Sequence, residues 1–107
     1  MEIKEIDVLE LRKLMQENKD FTLIDVRNPD EYQYCNLGGA LIPMSEILER
    51  YSEIPKQGTV IIYCHHGSRS RKVIDWLQAN LGYENLYNLS GGIHSWSINV
   101  DSAVPIY

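Results

Sequence analysis

One stretch constrains the fold and chemistry of this chain more than any other: residues 59–70, with the sequence TVIIYCHHGSRS. An apolar, β-branched run ends at Cys64, a short polar loop with Gly67 follows, and a helical pattern begins at Ser70. The first turn of a helix carries unpaired N–H groups and the positive end of the helix dipole. A cysteine held in such a loop is stabilised as a thiolate, and Arg69 adds a further positive charge. The stretch therefore predicts a nucleophilic cysteine at the end of a buried strand.

Three other interpretations of Cys64 are open. A free cysteine after a buried strand is often a small core side chain, but the polar residues that follow do not continue a core. A metal site on Cys64, His65 and His66 is disfavoured, because adjacent ligands are poorly spaced and no Cys-x-x-Cys or His-x-x-x-His pair exists. A cysteine phosphatase or arsenate reductase is disfavoured, because the phosphatase loop is one residue longer than the four residues between Cys64 and Arg69. The smaller loop suits a single sulfur atom.

The stretch resembles the active-site loop of rhodanese-type sulfurtransferases, whose pattern is Cys-x-x-Gly-x-Arg/Ser-Ser/Ala. The resemblance covers residues 6–96, and one departure is that Asn36 replaces the family's usual histidine in a segment that is one residue short. Three further segments are similar to motifs of this family and occur in its order: Leu23–Arg27 followed by Glu31-Tyr32, then Gly39–Pro43, and Leu89–Trp96.

This resemblance implies a sulfurtransferase that needs no cofactor and no metal. Sulfane sulfur would pass from thiosulfate or a persulfide donor to a thiophilic acceptor, such as cyanide or a thiol, through a persulfide on Cys64. A protein is a further candidate for the sulfur acceptor. The main alternative is a catalytically weak rhodanese-like domain that serves as a binding or regulatory module, although the retained Cys64 and Arg69 argue against it.

The loop residues receive individual roles in substrate binding. Backbone N–H groups from His65 to Ser70 are expected to hold the negative charge of the persulfide, and Gly67 permits the tight bend. Ser70 either caps the following helix or donates a hydrogen bond to the sulfur, and Arg69 is expected to attract the anionic donor. The predicted substrate-binding residues are Arg69, His65, His66, Gly67, Ser68, Ser70 and Arg27.

The remaining roles are less sharply defined. His65 and His66 are expected to point outward, either tuning the choice of donor or lying as solvated loop residues. The resemblance makes Arg27 a secondary substrate contact, with a surface ion pair as the alternative. Cys35 is predicted to be a small buried side chain, with a resolving thiol as the alternative. His94 is predicted to lie at the surface.

Strands and helices alternate along the chain, which predicts an α/β fold with a central, mostly parallel sheet and helices on both faces. Asp7 with Glu10, and Asn28 with Glu31, form capping boxes at two helix starts. A helix is predicted over residues 70–81, and a short helix near residue 47 is predicted to bury both Ile47 and Leu48. Residues 99–107 show no clear period and are predicted to lie across the domain. Asp25 is predicted to tie loops together through backbone N–H groups.

Length, charge and cysteine content limit the number of domains, the partners and the location that are expected for this chain. A chain of 107 residues is expected to form one rhodanese-like domain over residues 1–107. The net charge of −5 disfavours nucleic-acid partners. No apolar run reaches the ~20 residues of a membrane span, and the first residues do not resemble a signal peptide, so a cytoplasmic location is expected. Two cysteines do not make a disulfide framework, and a monomer is expected.

Overall fold

A five-stranded parallel sheet forms the centre of the computed structural model, which describes residues 2–107. The strand order is β1-β5-β4-β2-β3, so β4 lies in the middle and β1 and β3 form the edges. Every neighbouring pair is parallel, as the alternation of strands and helices predicts. The strands are β1 (Lys4–Ile6), β2 (Thr22–Asp25), β3 (Ala40–Leu41), β4 (Val60–Tyr63) and β5 (Leu86–Leu89).

Five α-helices connect and cover the strands of this described region. Two short 3₁₀ turns, Met44–Glu46 and Tyr51–Glu53, flank the third helix. No helix within residues 2–107 combines the length and the apolar character that crossing a membrane requires. The helices are α1 (Val8–Gln16), α2 (Pro29–Tyr34), α3 (Ile47–Arg50), α4 (Ser68–Leu81) and α5 (Gly92–Asn99).

Side chains of the central strand alternate between two apolar cores. Val60 and Ile62 pack on one side of the sheet with residues of α4, while Ile61 and Tyr63 pack on the other with residues of α1 and α5. All four are fully buried, as expected for a strand that is covered on both faces. The predicted arrangement of helices on both faces is therefore confirmed.

Capping side chains set two of the helix starts where the sequence predicts them. The Asp7 carboxylate accepts a hydrogen bond from the N–H of Glu10 at 2.8 Å, and the Glu10 carboxylate accepts one from the N–H of Asp7 at 3.1 Å. At α2 the Glu31 carboxylate accepts from the N–H of Asn28 at 3.1 Å. Local hydrogen bonding of this kind is readable from sequence, because the partners are three residues apart.

Two predictions about helices are wrong in detail. Helix α4 begins at Ser68 rather than Ser70, because Gly67 adopts a left-handed conformation (φ 108°) and the chain turns into the helix directly after it. Leu48 is 64% exposed, whereas its neighbour Ile47 is buried. Successive side chains of a helix point about 100° apart, so the orientation of α3 that buries Ile47 turns Leu48 toward solvent.

Parallel register brings the carboxyl ends of the three inner strands together. Asp25 of β2 lies opposite Tyr63 of β4, and Asn88 of β5 lies opposite Ile62 of β4. The N–H of Val26 donates to the carbonyl oxygen of Tyr63 at 3.1 Å, which continues the pairing just beyond β2. The loop that follows β4 therefore emerges between the ends of β2 and β5, where open parallel sheets carry their functional sites.

Candidate active site

Cys64 lies immediately after β4, at the base of the loop that leads into α4. Its side chain is buried, with the residue 1% exposed. The N–H of Gly67 donates to Sγ at 3.1 Å and the N–H of Ser70 donates at 3.4 Å. The Ser70 hydroxyl lies 3.3 Å from the same sulfur. Two backbone donors and a hydroxyl thus converge on the sulfur, an arrangement that stabilises negative charge.

Ser70 is held in place by a buried polar network. Its hydroxyl lies 3.2 Å from the carbonyl oxygen of Gly67 and also contacts the side-chain oxygen of Asn88. The Asn88 amide donates to the Gly67 carbonyl at 3.2 Å and to the Glu5 carboxylate at 3.2 Å. A hydroxyl has one hydrogen, so Ser70 donates to only one of its acceptors at a time. Asn88 therefore fixes both the loop and the hydroxyl next to the sulfur.

Sequence reasoning missed Asn88 and Glu5 as supporting residues. One indication of such a role was present in the sequence: Asn88 is an amide at the otherwise apolar end of β5, and a buried polar side chain needs a hydrogen-bond partner. The partner could not be identified, because Ser70 is 18 positions away along the chain.

The Gly91-Gly92 corner allows α5 to approach the loop. The N–H of Ile93 donates to the carbonyl oxygen of Cys64, and the N–H of His94 donates to that of His65, both at 3.0 Å. A Cβ on Gly92 would lie 2.4 Å from each of these carbonyl oxygens. A residue without a side chain is therefore required at position 92, and α5 docks directly onto the backbone of the loop.

Arg69 is paired with Glu31 instead of pointing freely into solvent. Its guanidinium donates through Nη1 to Oε1 at 2.7 Å and through Nη2 to Oε2 at 3.0 Å. This two-pronged pair lowers the pKa of Glu31 to about 2. The Glu31 carboxylate in turn raises the pKa of Arg69, and the Cys64 sulfur acts in the same direction. Sequence reasoning assigned Glu31 only to the helix cap, whereas the structure gives it both functions.

The structure corrects the prediction for Arg27. The residue is fully buried, so it is neither a surface residue nor accessible to substrate. Its guanidinium donates to Asp25 at 2.7 Å, to the carbonyl oxygen of Cys35 at 2.7 Å, and to the Tyr107 hydroxyl at 2.7 Å. Burial is the largest single effect and opposes the charge, but Asp25 and Tyr107 together outweigh it and raise the pKa of Arg27. Asp25 also accepts from the N–H of Arg27 at 2.9 Å, as predicted for a loop-tying carboxylate.

The end of the chain crosses the loop, as predicted for residues 99–107. The Tyr107 ring stacks on the His65 ring with centroids 3.8 Å apart and planes 1° from parallel. The Tyr107 hydroxyl donates to Glu31 at 2.8 Å. Burial raises the pKa of Tyr107 to about 12, so the hydroxyl stays protonated at neutral pH.

The three histidines differ in exposure. His66 is exposed, as predicted, whereas His65 is half-buried beneath Tyr107. Burial, and then the neighbouring His66, lowers the pKa of His65. His94 is half-buried, so its prediction as a plain surface residue is wrong. It lies beside the other two because α5 docks on the loop.

The remaining predicted residues lie at the edge of this arrangement. Ser68 is exposed at the first position of α4. Cys35 is a half-buried free thiol whose Sγ lies 4.0 Å from the carbonyl oxygen of Pro105. A resolving role for Cys35 stays a prediction.

Comparisons with known proteins agree with this fold and loop. The profile of the Rhodanese-like domain family matches residues 7–99. The chain is 38% identical over 96 residues to "Sulfurtransferase" of Allochromatium vinosum, covering 89% of each chain. It is 34% identical over 97 residues to "Thiosulfate sulfurtransferase GlpE" of Coxiella burnetii, covering 90% of this chain and 89% of that protein. The chain belongs to the rhodanese-like domain family.

A solved structure and a longer relative complete the comparison. The rhodanese-like domain protein from Staphylococcus aureus superposes with a TM-score of 0.81 at 32% identity, covering 98% of this chain and 99% of that one. Some relatives are longer proteins: the chain covers 38% of "Rhodanese-like/PpiC domain-containing protein 12, chloroplastic" of Arabidopsis thaliana, at 34% identity.

Proposed function

We propose that this chain is a sulfurtransferase in which Cys64 carries the transferred sulfur as a persulfide. The observation that carries the proposal is the pair of backbone donors on the Cys64 sulfur, the N–H groups of Gly67 and Ser70, with the Ser70 hydroxyl 3.3 Å from the same sulfur. Such donors stabilise a thiolate before the reaction and the negative charge on the sulfur afterwards. The names of the relatives in Allochromatium vinosum and Coxiella burnetii support sulfur transfer as the reaction class.

The first half-reaction forms the persulfide. The Cys64 thiolate attacks the outer sulfur of thiosulfate, so that a bond from Sγ to this sulfur forms. The sulfur–sulfur bond of thiosulfate breaks, and its electron pair leaves with sulfite. The outer sulfur keeps the negative charge that it carried in thiosulfate and becomes the terminal sulfur of the Cys64 persulfide. A persulfide donor reacts in the same way, with a thiolate as the leaving group.

The second half-reaction returns the enzyme to its starting state. A thiophilic acceptor, such as cyanide or a thiolate, attacks the terminal sulfur of the persulfide. The bond from Sγ to this sulfur breaks, and its electron pair restores the Cys64 thiolate. Cyanide leaves as thiocyanate, and a thiolate leaves as a new persulfide. Donor and acceptor therefore use one site in turn, which predicts ping-pong kinetics.

Arg69 and Glu31 set the charge at the mouth of this site. Arg69 remains 28% exposed in its ion pair, so part of its positive charge faces an incoming donor. Glu31 offsets this charge and holds the guanidinium at a fixed position. We propose that Arg69 orients the anionic donor while its carboxylate partner limits non-selective anion binding.

Mass spectrometry tests the persulfide. Reduced protein is incubated with thiosulfate, and the intact mass is measured before and after cyanide is added. A gain of one sulfur atom that cyanide reverses is expected. Cys64→Ser should show no gain, whereas Cys35→Ser should gain sulfur like the unaltered chain, because within residues 2–107 the Cys35 sulfur accepts no hydrogen bond and faces the carbonyl oxygen of Pro105. Equal loss in both variants would contradict a mechanism that uses one thiol.

A second donor distinguishes a sulfurtransferase that does not accept thiosulfate from a binding or regulatory module. The same measurement is repeated with glutathione persulfide, which carries less negative charge at its reacting end than thiosulfate does. Sulfur transfer from either donor supports the proposal. Folded protein with alkylatable Cys64 that gains sulfur from neither donor would overturn it and favour a binding or regulatory module.

A further inference from the structure

All three histidines of the chain lie together beside the Cys64 loop. His65 and His66 belong to the loop, whereas His94 belongs to the first turn of α5. Ring centroids are 3.9 Å apart for His65 and His66, 4.6 Å for His66 and His94, and 6.0 Å for His65 and His94. The docking of α5 on the Cys64 and His65 carbonyl oxygens fixes the backbone on both sides of this cluster. Two separate rigid elements therefore present imidazole rings to one point.

Two ring nitrogens in the cluster are buried without a hydrogen-bond partner within residues 2–107. They are Nε2 of His65 and Nδ1 of His94. Buried polar atoms are nearly always paired, so each unpaired one needs an explanation. The third ring, His66, is exposed and leaves the cluster open to an ion from solution. One nitrogen from each ring can be chosen so that all three lie within 4.8 Å of one another.

We propose that His65, His66 and His94 bind a first-row divalent metal ion that prefers imidazole ligands, with Zn²⁺ as the representative. Imidazole nitrogens suit Zn²⁺, Ni²⁺ and Cu²⁺, and three histidines leave a fourth position open to water or another ligand. Metal–nitrogen bonds of about 2.0–2.1 Å place the nitrogens of a tetrahedral site roughly 3.3 Å apart. The nitrogens therefore move closer by up to about 1.5 Å when the ion binds, through rotation of the three side chains, of which only His66 is exposed.

This site differs from the one that the sequence disfavours. That site would use Cys64, His65 and His66, which are adjacent in the chain and poorly spaced as ligands. In the structure the third candidate ligand is His94 of α5, whereas the Cys64 sulfur accepts a hydrogen bond from the N–H of Gly67. This site does not depend on sulfur transfer, although a metal ion bound to His65 would add positive charge next to Cys64.

Calorimetric titration with Zn²⁺ tests the site in a variant that lacks both thiols, Cys35→Ser with Cys64→Ser, so that no cysteine can bind the metal. One equivalent of Zn²⁺ is expected to bind. Adding His94→Gln should weaken binding by at least about 10-fold, since even outer-shell partners of metal ligands are worth about 10–100-fold. Adding Ser95→Ala, the neighbouring residue of α5, should leave the affinity unchanged. Circular dichroism verifies that each variant is folded.

Side-chain NMR keeps the proposal testable even if the His94 variant does not fold. Because the chain has three histidines, the imidazole C–H resonances of the thiol-free variant report each ring separately. Zn²⁺ is expected to shift all three rings at the same stoichiometry. A shift confined to exposed His66, an absence of binding, or equal weakening by His94→Gln and Ser95→Ala would each overturn the three-histidine site.

Discussion

At the scale of single residues, the chemistry at Cys64 depends on partners from distant parts of the chain. The sulfur is held by Gly67 and Ser70, which are close in sequence, but Ser70 is positioned by Asn88. Similarly, Arg69 is positioned by Glu31, 38 residues away. The nucleophile and its loop were therefore predictable from a local pattern. Their supports were not, because a hydrogen-bond partner across the sheet leaves no signal in local spacing.

The Glu31–Arg69 pair predicts a specific loss of stability in acid. The pKa of Glu31 falls from 4.5 to about 2 on folding, because Arg69 stabilises its charged form. A carboxylate with a lowered pKa stabilises the folded state above its unfolded pKa, and this contribution is lost as the pH falls through the folded value. The free energy of unfolding should therefore decrease between about pH 4.5 and pH 2, by at most about 3 kcal/mol from this group.

Urea unfolding of the Glu31→Gln variant between pH 7 and pH 2 measures this contribution. The variant should be less stable than the unaltered chain at pH 7, and the difference should shrink toward zero near pH 2. The matched control is Glu53→Gln, which removes an exposed carboxylate paired with Arg50 and should cost less stability at pH 7 than Glu31→Gln. A stability difference for Glu31→Gln that does not change with pH would contradict the assignment.

At the scale of elements, the first residues of helices with local capping side chains were predictable. The docking of helices on the sheet and loops was not. The pairs Asp7–Glu10 and Asn28–Glu31 mark the starts of α1 and α2, and both are observed. The start of α4 was misplaced by two residues, because Gly67 rather than a polar cap turns the chain. Capping boxes involve neighbours in sequence, whereas α5 is held against the active-site loop by backbone groups that any sequence carries.

Docking of α5 predicts that Gly92 is more sensitive to substitution than Gly82, a glycine with positive φ in open space. Gly92 has φ +60°, and an added Cβ would lie 2.4 Å from the carbonyl oxygens of Cys64 and His65. Gly82 has φ +70°, and nothing lies within 4 Å of its added Cβ. Gly82→Ala should therefore cost only the conformational strain, about 1–2 kcal/mol. Gly92→Ala adds displacement of α5 and should cost more than about 3 kcal/mol.

Urea unfolding compares the two alanine variants directly, and the alkylation rate of Cys64 reports the loop. Only Gly92→Ala should change the alkylation rate, because the displaced helix releases the Cys64 and His65 carbonyl oxygens. Equal destabilisation in both variants, with unchanged alkylation, would mean that α5 tolerates a side chain at this position.

At the scale of the whole molecule, side chains near both ends of the described chain contact residues around the active site. Glu5, next to the start, accepts hydrogen bonds from Asn88 and Arg71. Tyr107, at the other end, contacts His65, Glu31 and Arg27. The parallel strand order explains the first of these contacts, because β1 adds beside β5 at the sheet edge. Residues 101–107 have no regular element, so their path was predicted only as a crossing of the domain.

The contacts of Tyr107 predict that its hydroxyl contributes to global stability. Arg27 is a fully buried cation, and the hydroxyl is the acceptor for its Nη1 group at 2.7 Å. Tyr107→Phe keeps the ring on His65 but leaves this buried donor without its partner, at a cost of about 1–3 kcal/mol. Tyr107→Ala also removes the stacked ring and should cost more.

The matched control is Tyr34→Phe, because Tyr34 is 60% exposed and the change should stay within about 0.5 kcal/mol. Urea unfolding of the three variants decides the question: if Tyr107→Phe matches Tyr34→Phe, the tail rests on the loop without stabilising the buried Asp25–Arg27 pair. A loss confined to Tyr107 variants means that the end of the chain completes the hydrogen bonding of a buried cation, which local sequence around Arg27 cannot reveal.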